Sequence, residues 1–143
     1  MERKPAGPTA KAPAEHFTGD AYVDMLKLPD EPSRLVVGLV RFAPGARTNW
    51  HSHALGQTLY CTDGVGLVVN REGTVIELRP GDTVWTPPGE EHWHGATDGN
   101  MMCHLAMAEV TGHNDTVWLE PVTDDQLGSA VQAAAASSAR TDS

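Results

Sequence analysis

Turn signals at short intervals cut the middle of this chain into β-type runs, and that punctuation limits the folds open to it. Ala43-Pro-Gly, Asp63-Gly, Asn70-Arg-Glu-Gly, Arg79-Pro-Gly-Asp and Pro87-Pro-Gly each hold residues suited to tight reversals. Between and around them lie candidate strands at Tyr22–Leu26, Leu35–Phe42, Thr48–His53, Gln57–Thr62 and Gly66–Asn70. Thr74–Leu78, Thr83–Thr86, His92–Ala96, Met102–Glu109 and Thr116–Leu119 follow. Asn70 to Gly73, set between Leu67-Val-Val and Val75-Ile, reads as a hairpin loop. Many short strands at close spacing specify an all-β sandwich or barrel.

The flanks differ from this centre. Residues 1–16 are rich in Pro, Ala, Lys and Gly without periodicity, and read as a flexible arm. Residues 17–126 hold the strand pattern and form the single domain that 143 residues allow. Residues 127–143 are Ala/Ser-rich; their alanine run favours helix but shows no apolar face to dock, so a disordered tail is expected.

Charge and composition exclude several classes of function. The net charge of −9 repels polyphosphates, and no basic stripe interrupts it, which argues against nucleic-acid binding. No apolar run approaches the roughly 20 residues of a membrane span, and Met-Glu-Arg-Lys-Pro leads into no secretion segment. A cytoplasmic protein is the expectation. Cys61 and Cys103 lie in β-type runs and read as buried, reduced thiols. Leu35-Val-Val-Gly-Leu-Val is continuously apolar, as in a strand covered on both faces. One cover would be a second subunit, giving a homodimer or a homotetramer.

The histidines carry the chemistry. His51 and His53 are one residue apart, so on a strand they share a face and can bind one ion. His92 follows the Pro87-Pro-Gly turn, and Gln57 offers an amide oxygen to complete the shell of a divalent metal. A glutamate at that place would leave such a site near +1, whereas glutamine leaves it near +2. The ion is then a stronger Lewis acid, harder to oxidise and more easily lost.

His94 faces the same way as His92 and reads as a base beside the metal or a fifth ligand. His104, in the apolar run Met-Met-Cys-His-Leu-Ala-Met, is either a core histidine bonded to backbone or a further site residue. His16 and His113 read as surface residues. Alternation turns Trp50 and Trp93 away from the ligands into packing, which leaves Trp85 as the aromatic pocket candidate. Arg41 and Arg47 are candidates for an anionic substrate or for surface ion pairs, and Glu90 and Glu91 for solvated positions.

The spacing of these residues resembles the two motifs of the cupin superfamily. The first runs from Gly45 through His51-Ser-His53 and Gln57 to Gly64; the second from Gly81 through Pro87-Pro-Gly89 to His92. Gln57 stands where glutamate is usual, and Ala96 where asparagine is. The resemblance implies a double-stranded β-helix, the jelly-roll barrel of that superfamily. Phe17-Thr-Gly, Pro44-Gly-Ala-Arg-Thr, Leu55-Gly-Gln57-Thr-Leu and Pro88-Gly-Glu-Glu-His92-Trp-His94-Gly are similar to bacterial manganese-dependent hydroxynitrile lyases.

This narrower likeness implies a metal held by His51, His53, Gln57 and His92, with manganese ahead of zinc or iron. It implies that His94 and His104 line the site and serve proton transfer and cyanide handling, and that the substrate is small and aromatic or apolar. The chain departs from the pattern at Ala108, where a glutamine is expected. A lyase acting on aromatic cyanohydrins is thus the leading expectation. A metal-dependent dioxygenase, a polyketide cyclase or isomerase, and a non-enzymatic ligand-binding cupin are the alternatives.

Overall fold

The alternation in Leu35–Phe42 turns Val40 and Phe42 into a buried core and leaves Leu35 exposed on the other face. The same period of two governs most of the chain. The computed structural model describes residues 1–141. Its strands are β1 (Ala10–Lys11), β2 (Phe17–Thr18), β3 (Ala21–Lys27), β4 (Leu35–Phe42), β5 (Arg47–Thr48), β6 (His51–His53) and β7 (Gln57–Gly64). Then come β8 (Gly66–Asn70), β9 (Val75–Leu78), β10 (Thr83–Thr86), β11 (His92–Ala96), β12 (Met102–Glu109) and β13 (Thr116–Trp118), followed by helix α1 (Asp124–Thr141).

Two antiparallel sheets face each other. One has the order β1-β3-β4-β12-β7-β10; the other runs β13-β6-β11-β5-β2 and continues from β11 through β8 to β9. Ala21, Phe42, Leu59, Cys61, Leu78, Ala96 and Met102 pack between them as the main core. This is the expected all-β jelly roll. Cys61 and Cys103 are buried and unbridged, as expected. The Asn70–Gly73 hairpin is closed by the Gly73 amide on the Asn70 carbonyl at 3.2 Å and by the Thr74 amide on Asn70 Oδ1 at 2.9 Å. Among the described residues no helix is long and apolar enough to cross a membrane.

The structure corrects three sequence expectations. The stretch expected as a disordered tail from residue 127 is helical through Thr141. Leu127, Ala130 and Ala134 form one helix face and pack on Trp50, Leu67, Val69, Trp93 and Val122. The docking surface comes from distant strands, so inspection of the tail by itself could not reveal it. Thr123 and Gln126 cap the helix reciprocally: the Gln126 amide donates to Thr123 Oγ1 and the Thr123 amide to Gln126 Oε1. Residues 142 and 143, also placed in that tail, lie outside the described residues.

The arm expected over residues 1–16 is partly built in. Ala10 and Lys11 pair with Val23 and Tyr22, and Ala12 is buried. Segments of two paired residues carry no readable period. Thr48–His53, read as one strand, is interrupted at Asn49 and Trp50, whose amides donate to the His16 and Glu120 carbonyls instead.

Candidate metal centre

Strands β6 and β11 lie side by side with His92 directly opposite His51. Ser52 separates His51 from His53, so alternation brings both rings to the same side. The ligating nitrogens available from His51, His53 and His92 all lie within 4.8 Å of one another. Gln57 enters as the first residue of β7, after a turn that reverses at Gly56 with φ +82°. A Cβ there would lie 2.4 Å from Trp85 Cη2 and 2.8 Å from the Thr86 carbonyl oxygen, so the turn requires glycine.

Backbone carbonyls orient two of the rings. His51 Nδ1 donates to the Asn49 carbonyl at 2.9 Å, and His92 Nδ1 to the Glu90 carbonyl at 3.0 Å. A carbonyl only accepts, so Nδ1 holds the proton in both neutral rings and Nε2 keeps its lone pair. His53 Nε2, His92 Nε2 and Gln57 Oε1 are buried with no hydrogen-bond partner. Buried polar atoms are rarely left so. One divalent cation among them would satisfy all three, and three imidazoles with one amide oxygen are donors that could hold such an ion.

Burial holds these imidazoles neutral. It pushes His51 well below the usual histidine range, with the neighbouring His92 adding to the effect. His53 falls to about 4, again through burial first and His92 second. His92 is lowered by burial, partly offset by its bond to the Glu90 carbonyl. Neutral rings are what metal ligation needs.

Beside this group stands a second pair. His94, two residues along β11, donates its backbone amide to Thr48 Oγ1 at 3.2 Å. Its Nδ1 lies 3.0 Å from Nε2 of His104, which comes from β12 in the opposite sheet. His104 is fully buried, faces His94 and lines the cavity between the sheets. Burial pushes His94 well below the usual range, with His104 as the next cause, and brings His104 to about 4. His94 Nε2 and His104 Nδ1 are buried without a partner.

The ligand group, through His51, His53 and Gln57, and the His94–His104 pair open on one cavity of about 270 Å³ between the sheets. His51, His53, Gln57, His94 and His104 contribute to its lining, together with Phe17, Val36, Val40, Ala106, Ala108 and Trp118. Ala108 adds only a methyl group to this lining, which also includes Glu109, Asp115 and Thr116. Sequence reasoning assigned neither Trp118 nor Phe17 to the cavity: each sits in a strand of two or three residues away from the motif histidines, although Phe17 belongs to a segment similar to the lyases.

Trp85, the expected pocket aromatic, instead faces outward at 57% exposure and packs over Gly56. The expected packing of Trp50 and Trp93 holds. Arg47 is neither a surface residue nor in the cavity lining: it is buried and donates to the Val122 and Gly45 carbonyls and to Asp124. Arg41 pairs with Asp24 at the surface, and Glu91 with Arg71. His113 is exposed, but His16 stacks on Trp118 with ring centres 4.2 Å apart.

Comparison with known proteins agrees with this geometry. Residues 38–108 match the family model described as the cupin domain. The chain is 46% identical over 128 residues to an (R)-mandelonitrile lyase of Granulicella tundricola, covering 88% of this chain and 98% of that one. A cupin-like protein of Thermotoga maritima superposes with a TM-score of 0.78 at 33% identity, over 91% of this chain and 97% of the other. A polyketide cyclase of Streptomyces resistomycificus, at 23% identity and a TM-score of 0.56 over 73% of this chain and 75% of its own, shares the fold alone. A histidine cluster inside two facing antiparallel sheets, with relatives of this closeness, places the chain in the cupin family.

Proposed function

We propose that this protein is a metal-dependent lyase that cleaves or forms aromatic cyanohydrins. The observation that carries the reading is the juxtaposition, along one largely apolar cavity, of an orphaned set of candidate ligands and a histidine pair. The Granulicella relative is named an (R)-mandelonitrile lyase. His51, His53, Gln57 and His92 would hold the ion, which we take to be manganese, with zinc and iron as the other candidates. When bound, it would polarise the hydroxyl or carbonyl oxygen of the substrate as a Lewis acid. Three neutral imidazoles and a neutral amide leave the full divalent charge for that task.

The His94–His104 pair supplies the proton transfer. One proton lies in the bond between His94 Nδ1 and His104 Nε2. When both rings are neutral, one outer nitrogen must then bear a hydrogen while the other keeps a lone pair. The pair therefore presents a base and an acid together in either tautomer. In the cleavage direction the base takes the hydroxyl proton, the bond to the nitrile carbon breaks, and its electron pair leaves with cyanide. The acid returns a proton, and hydrogen cyanide and an aldehyde result. Val36, Val40, Ala106 and Ala108 would surround the aromatic group. Assembly as a homodimer or homotetramer through the outward face of β4, where Leu35 is exposed, belongs to the same proposal.

The test is benzaldehyde release from mandelonitrile by manganese-loaded protein without oxygen. Release that disappears in Gln57→Ala supports the lyase. A metal-saturated protein that releases none refutes it.

A further inference from the structure

Asn49 occupies a junction in the sheet edge beside the metal centre. β5 and β6 follow one another along the chain, separated only by Asn49 and Trp50. On their outer side, β2 pairs with β5 and β13 pairs with β6, so two very short strands from distant parts of the chain share one edge. Asn49 joins them. Its backbone amide donates to the His16 carbonyl at 2.8 Å, and its side-chain amide to the Glu15 carbonyl at 2.8 Å and the Leu119 carbonyl at 3.2 Å.

Both hydrogens of that amide are thus used, and Asn49 is 3% exposed. The clasped segments bring Phe17 and Trp118 to ring centres 5.9 Å apart, and both line the cavity. His16 backs Trp118 in a near-parallel stack.

We infer that Asn49 is a positioning residue whose side chain clasps β2 to β13 and so holds Phe17 and Trp118 as the wall that binds an aromatic substrate. This rests on the proposed function only in taking the substrate to be aromatic. Two roles of Asn49 separate cleanly. His51 is oriented by the Asn49 backbone carbonyl, which any residue supplies. The aromatic wall depends on the side-chain amide. Aspartate at this position has no hydrogens to donate and sets a carboxylate against two carbonyl oxygens; alanine leaves both carbonyls unpaired.

The experiment is a pair of calorimetric titrations on the full chain: manganese into the metal-free protein, and benzaldehyde into the manganese-loaded protein. Asn49→Ala and Asn49→Asp should raise the benzaldehyde Kd about tenfold and leave the manganese Kd within about twofold. Where turnover is measurable, KM for mandelonitrile should rise with kcat changed much less. Phe17→Ala leaves the clasp in place and should weaken benzaldehyde binding similarly, which keeps the inference testable if the Asn49 variants fail to fold.

Unchanged benzaldehyde binding in Asn49→Ala or Phe17→Ala overturns the inference. So does a parallel loss of manganese, benzaldehyde and thermal stability in the Asn49 variants, which marks a general structural role. A wild type that binds benzaldehyde without cleaving mandelonitrile refutes the lyase and leaves the wall standing. A wild type that binds no benzaldehyde refutes the wall.

Discussion

His94 Nδ1 and His104 Nε2 meet at 3.0 Å across the two sheets, beside but not within the cluster of ligating nitrogens. Chemistry and metal binding are therefore separable. His104→Ala should lower kcat on an aromatic cyanohydrin by about 10²- to 10⁴-fold, the usual worth of a positioned acid or base. Manganese content, measured by atomic emission on the same preparation, should stay at the wild-type level.

The depressed histidines make stability depend on pH with a definite sign. His53 and His104 titrate at about 4 in the fold, against roughly 6.5 unfolded. Between those values the unfolded chain binds more protons, so stability is fully present above about 6.5 and is lost as pH falls towards 4. Thermal melts of the metal-free protein should show the midpoint falling through that window. Manganese should shift the midpoint upward at pH 7.5 and progressively less at lower pH, because protons compete for the same nitrogens.

Gly56 lies in the turn between His53 and Gln57, two of the proposed ligands. Gly56→Ala meets Trp85 and the Thr86 carbonyl and strains a residue at φ +82°. It should cost about 1–3 kcal/mol in urea unfolding and weaken manganese binding, since Gln57 is the next residue. Gly99→Ala, with nothing within 4 Å of the added Cβ, should stay within about 0.5 kcal/mol.

The docked helix gives a prediction away from the site. Leu127 is 6% exposed among Trp50, Trp93 and Val122. Leu127→Ala should destabilise the protein by about 2–3 kcal/mol, read by urea unfolding followed by tryptophan fluorescence. The manganese Kd in native buffer should not move.

The residues legible in the sequence were those carrying a period or a motif. β4, β8, β10, β11 and β12 begin and end where the alternation and turn residues place them. His51, His53 and His92 come together as neighbours, and Gln57 lines the same cavity as His51 and His53, because strand pairing converts spacing directly into position. What stayed hidden depends on contacts across the fold. α1 needs Trp50 and Trp93 to dock against, and β2 needs the edge of β5. Trp85 shows the limit of reasoning from proximity to a motif. Its strand is correct, but its pleat points it outward, while Trp118, about 65 residues from the first motif histidines in sequence, lies tilted against His51 with ring centres 4.8 Å apart.

We propose that His51, His53, Gln57 and His92 form one divalent-cation site. Calorimetric titration of manganese into metal-free wild type and His92→Ala tests it most directly. Wild type should saturate at one ion per chain, with at least about a hundredfold weaker binding in the variant. Absence of saturable binding in the wild type, or equal affinity in His92→Ala, would contradict it.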